Sequence, residues 1–95
     1  MKTLIEEEKF EEIKQLAERA VSAYSKNDAA PYIRRLEFIS NTGGYSGSAN
    51  NILGELVASV KAASGNVSDK DSRLYYVRCD LYKLEDFVEN TQLKR

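Results

Sequence analysis

Between Ser68 and Thr91 the apolar residues Leu74, Val77, Leu81, Leu84 and Val88 recur at alternating steps of three and four. That spacing lines one face of an α-helix and no face of a β-strand, whose period is two. A stripe of this kind must be buried against something, so the rest of the chain is expected to supply further helices. A second face of the same segment carries Tyr75, Arg78, Cys79, Tyr82 and Asp86. Those residue types either complete a core or meet a partner.

Earlier in the chain, Thr3 with Glu6 fits a capping box, and Glu6, Glu7, Glu8, Glu11 and Glu12 suit the positive end of a helix dipole. A first helix is therefore expected from about Leu4. Its inner face holds Phe10, Ile13, Ala17, Ala20, Val21 and Tyr24, with Leu16 at the edge, and its acidic residues face water. Asn27 or Asp28 is expected to cap a second helix, with Pro31 in its first turn, where a missing N–H does no harm. Ala29, Tyr32, Ile33, Leu36 and Ile39 line its inner face and leave Phe38 pointing outward.

The segment from Asn41 to Asn51 carries Gly43, Gly44 and Gly47 and is expected to be the longest flexible connection. Ser46 or Ser48 would cap a third helix with Ala49, Ile52, Leu53, Leu56, Val57, Val60 and Ala63 inside. The small residues Gly54, Ala58 and Ala62 on its back would let another helix approach, making it the most enclosed of the four. Gly65 is a natural residue to end it, and Ser68 to Asp71 resembles a second capping box. The expectation is an all-α, compact antiparallel four-helix bundle with helices over about 4–26, 29–41, 48–64 and 69–90, one domain spanning residues 1–95.

Composition narrows the chemistry. There is no histidine, which removes the side chain most used for proton transfer near neutral pH, and with it every Ser-His-Asp or Cys-His arrangement. Cys79 is the single cysteine, so neither an intramolecular disulfide nor a thiolate metal cluster is expected. Gly44-Tyr45-Ser46-Gly47-Ser48 has no glycine where a nucleophile elbow needs one, and no Lys-Ser or Lys-Thr pair follows it as a phosphate loop requires. The chain is expected to be no enzyme and to hold no cofactor or metal.

A net charge of −1 gives no pull toward phosphate backbones, and Lys61 alone is a poor basic set for a DNA-reading third helix. No nucleic acid is expected as a partner. Acid precedes any hydrophobic run at the N-terminus and no apolar run reaches membrane-spanning length, so no membrane association and a cytoplasmic address are expected.

What remains is binding. Tyr75, Arg78 and Tyr82 stand at i, i+3 and i+7, and Tyr and Arg dominate interface hot spots. With Asp86, and with Phe38 and Tyr45 elsewhere, they form the candidate partner-binding set for a small helical inhibitor of the immunity-protein or antitoxin kind, directed at a toxin or effector. Two alternatives accompany it: a homo-oligomeric bundle joined through the fourth helix or the back of the third, and a small helical enzyme holding an anion with Arg34, Arg35 or Arg78.

Overall fold

The computed structural model of the chain describes residues 3–89. It is an antiparallel four-helix bundle of α1 (Glu7–Ser22), α2 (Lys26–Thr42), α3 (Gly47–Ala63) and α4 (Lys70–Glu85). Both α1 and α3 contact all three other helices, whereas α2 and α4 make no contact with each other. Ile13, Ala17 and Ala20 of α1, Leu36 and Ile39 of α2, Leu53, Leu56 and Val60 of α3, and Val77 and Leu84 of α4 form the core.

The ends of the bundle depart from the sequence expectation. Thr3 and Glu6 form no capping box: Glu6 itself is the N-cap of α1, its side chain makes no capping hydrogen bond, and the residues before it are not helical. The Ile5 N–H donates to the Phe87 carbonyl (2.8 Å) and the Glu89 N–H to the Ile5 carbonyl (2.7 Å), an isolated parallel bridge between the two ends of the chain. Ile5 is completely buried there. Burying an Ile side chain is worth about 1.5–3 kcal/mol, more than the roughly 1 kcal/mol of a cap. The same pairing stops α4 at Glu85 and leaves Val88 in the bridge, outside the helix.

At the opposite end α1 stops at Ser22, so Tyr24 lies outside the helix and is exposed rather than part of the inner face. Ser25, not Asn27 or Asp28, caps α2 by accepting from the Asp28 N–H. With that earlier start Pro31 falls in the second turn. The C-terminal carbonyls of α3 are met by two lysines. Lys26 donates to the Lys61 and Ser64 carbonyls, and Lys70 to those of Ala63 and Gly65. Cations at the negative end of a helix are electrostatically favoured. Burial, with the nearby Lys26 charge, lowers the Lys70 pKa below its ordinary value. The expected capping box at Ser68 is not formed: Asp69 takes a left-handed conformation without a side-chain cap bond. Gly65 is required twice over, because its φ is +73° and a Cβ would come within 2.8 Å of the Lys26 backbone nitrogen.

The glycine connection is shorter and firmer than expected. Four residues, 43–46, separate α2 from α3, and Tyr45 is buried at 7% exposure. Its hydroxyl donates to Glu6 Oε1 at 3.0 Å, tying this loop to the start of α1. Burial and the Glu6 carboxylate raise the phenol to about 12. A side chain at Gly43 would overlap the Tyr45 ring and approach the Ile39 carbonyl oxygen to 2.7 Å, so glycine there makes room for the ring.

Candidate functional site

The α4 segment runs from Lys70 to Glu85 with Val77 and Leu84 turned inward, and the 100° advance per residue then sends Tyr75, Cys79, Tyr82 and Asp86 outward. Tyr75 is 62% exposed and Tyr82 74%. These rings therefore do not complete the core. Cys79 is half-buried despite facing out, because Tyr75 stands beside it one turn back. The neighbouring Cys79 thiol pushes the Tyr75 phenol above its ordinary value. Arg78 and Asp86 are exposed on the same side of the helix.

Tyr76, which sequence reasoning passed over, is 61% exposed and meets Tyr75 edge-on at 5.8 Å between ring centroids. Its absence from the inner stripe was the available signal. The result is a run of three exposed aromatic rings along one helix, unusual on a surface that needs only to be wet.

The other two candidates lie elsewhere. Tyr45 belongs to the core and is removed from the exposed set by its burial. Phe38 is exposed, as its helical angle requires, with the Arg35 guanidinium 5.4 Å from its ring centroid. It stands on α2, which does not touch α4, so it is separate from the tyrosine surface.

A buried carboxylate also escaped sequence reasoning. Asp80 is 7% exposed and accepts a 2.5 Å hydrogen bond from the Ser59 hydroxyl of α3. Its position between Val77 and Leu84, at i+3 and i−4, placed it on the inner face in advance. This bond joins α4 to α3. Ser59 forms part of a shallow notch of about 440 Å³ with Ala58, Ala62, Arg73 and Tyr76. The back of α3 is thus less enclosed than expected: Gly54 and Ala58 are exposed, and a Cβ at Gly54 would meet nothing within 4 Å.

The arginines do not converge. Arg35 donates to Glu12 at 2.8 Å, Arg34 faces the α2/α3 groove beside Lys26 and Lys61, Arg73 borders the α3/α4 notch and Arg78 the α1/α4 groove. Among the described residues no group of three carboxylate or thiol side chains is placed to share a metal ion, and no helix is long and apolar enough to cross a membrane. The geometry gathers aromatic rings and isolated charges at a convex helix face, an arrangement suited to contact between surfaces.

Compared with known proteins, the chain matches no family model, no curated protein and no solved structure.

Proposed function

We propose that this protein acts by binding another protein through the outward face of α4, with Tyr75, Arg78, Tyr82 and Asp86 as the contact residues. The observation that carries the reading is the exposure of Tyr75 and Tyr82 in a bundle whose core is complete without them. Tyrosine gives large contact area at small cost in rotamer freedom, and its hydroxyl hydrogen-bonds at the rim.

Within this class the reading is of an immunity-protein or antitoxin type, a non-catalytic inhibitor of a toxin or effector. Its support is chemical: no histidine, one half-buried thiol, a small surplus of acid, and exposed Glu7, Glu11 and Glu18 on the neighbouring helix α1. Acid and tyrosine together complement a basic, substrate-binding surface.

The test is an affinity pulldown from the native host, together with co-expression alongside the product of the neighbouring reading frame. The paired substitutions Tyr75→Ala and Tyr82→Ala are expected to abolish capture while moving the melting temperature by no more than about 2–4 °C, the consequence of a surface change within 0.5 kcal/mol. Phe38→Ala, on the separate helix, is expected to leave capture intact. Capture that survives loss of both tyrosines counts against the reading. Light scattering distinguishes the homo-oligomer: an obligate dimer that buries Tyr75 and Tyr82 would consume the surface on which the reading depends.

A further inference from the structure

Both ends of the bundle carry a helical signal that the structure overrides. Thr3 with Glu6 has the spacing of a capping box, yet residues 3–6 lie outside α1. Val88 continues the stripe of Val77, Leu81 and Leu84, yet α4 stops at Glu85. One contact overrides both. The Ile5 N–H donates to the Phe87 carbonyl, the Glu89 N–H donates to the Ile5 carbonyl, and the Ile5 side chain is fully buried. A strong local preference held off by a single tertiary contact is the composition of a two-state element.

We propose that Ile5 is a latch that sets the length of α4: with Ile5 docked the helix ends at Glu85, and with Ile5 released residues 86–89 join it. The backbone beyond Glu85 already lies close to that second arrangement. Asp86 has helical angles, φ −65° and ψ −18°. The N–H groups of Asp86, Phe87 and Val88 donate three residues back, to the carbonyls of Lys83, Leu84 and Glu85, at 3.2, 2.9 and 3.2 Å. These are the bonds of a tightened last turn, and an α-turn forms when each N–H moves to the carbonyl one residue further back. The Glu89 N–H turns away from this path, to Ile5.

The two ends lose unequally when the latch opens. At helical spacing Val88 stays in line with Val77, Leu81 and Leu84, so a longer α4 keeps its apolar stripe toward the core. Ile5 has no such place. In a helix begun at Thr3 it would fall in line with Lys9 and Glu12 rather than with the core residues Ile13 and Ala17. Burial of Ile5 therefore requires the residues before α1 to be held out of the helix, and that one side chain carries the balance between the two arrangements. The latch belongs to the fold and stands apart from the reading of α4 as a partner-binding helix. For that reading its consequence is a face of variable length, because a released α4 gains Glu89 two turns beyond Tyr82 and in line with it.

Amide hydrogen exchange of the full chain, followed residue by residue by NMR, tests the latch. In the unaltered chain the Ile5 and Glu89 amides are expected to have matching protection factors, because one opening frees both. Those factors are expected to lie at least about tenfold below that of Leu56 in the core, which opens with the whole bundle. Asp86→Ala touches neither bridge hydrogen bond but raises the helix preference beyond Glu85, and it is expected to lower protection at Ile5 about threefold. Ile5→Asp, whose carboxylate is costly to bury, is expected to release the latch and move the Cα shifts of residues 86–88 toward helical values.

Protection of Ile5 and Glu89 equal to that of Leu56 would overturn the latch, since the contact would then open only with global unfolding. A difference of more than about tenfold between the two amides would do the same, because the ends would not open together. So would Asp86→Ala without effect at Ile5, or an Ile5→Asp chain that keeps Leu56 protected while residues 86–88 hold their original shifts. If Ile5→Asp does not fold, the unaltered chain and Asp86→Ala decide the matter. None of these measurements uses a partner, so they succeed or fail separately from the reading of Tyr75 and Tyr82.

Discussion

The two outer helices, α2 and α4, hold equivalent places in the bundle and are finished in opposite ways. Each sits at a corner beside α3, and they do not touch. The seam of α2 with α1 is closed by packing and by the Glu12–Arg35 ion pair, and most of the exposed positions of α2 are polar or charged, as at Asn27, Asp28, Arg34 and Asn41. Its one exposed ring, Phe38, is partly covered by Arg35. Among the described residues the seam of α4 with α1 has no such pair; it is a groove with an apolar floor, and the face beyond it carries three exposed tyrosines. A helix in water needs only the first kind of finish. The second makes physical sense when another surface completes it.

The comparison can be broken where the effects are largest, in the core. Leu36 of α2 and Leu84 of α4 are both fully buried, and changing either to Ala is expected to cost about 2–5 kcal/mol in denaturant unfolding. If Leu84→Ala were nearly silent, α4 would be poorly anchored and its tyrosines would not form a fixed surface.

A smaller effect sharpens the contrast between the seams. The Arg35 guanidinium beside Glu12 holds that carboxyl below its ordinary value of 4.5, an effect reinforced by Lys9 and opposed by burial. A carboxylate depressed by folding adds stability above its unfolded value, and that stability is lost as pH falls through the folded one. Arg35→Ala is therefore expected to lose about 0.2–1 kcal/mol at neutral pH, with the difference from wild type disappearing in acid. Arg78→Ala, on the open seam, is expected to leave thermal melts unchanged across the same range. A comparable loss at Arg78 would show that the groove margin serves the fold.

Much of the bundle was legible in the sequence, because the three-and-four spacing of Leu, Ile and Val is a local signal that survives packing. Ala49, Leu53, Leu56, Val60 and Ala63 all face inward as their spacing requires. What was not legible depends on contacts between distant segments. The bridge of Ile5 with Val88 joins opposite ends of the chain and has no local signature, and it displaced the expected start of α1 and end of α4. Tyr45 looked like part of a flexible loop, because its burial depends on the space left by Gly43 and on the Glu6 acceptor. For the candidate site, sequence placed Tyr75, Arg78, Tyr82 and Asp86 on one face but not whether that face was covered. Coverage is settled by where α1 and α3 lie.

The central claim is that the α4 face, and not the α2 face, meets a partner. A photo-cross-linking residue can be placed on each in turn, as Tyr82→p-benzoylphenylalanine and as Arg34→p-benzoylphenylalanine, in the full chain expressed in its host. The account predicts a discrete higher-mass adduct on irradiation from position 82 and none from position 34. No adduct from position 82, or equal adducts from both, would contradict it.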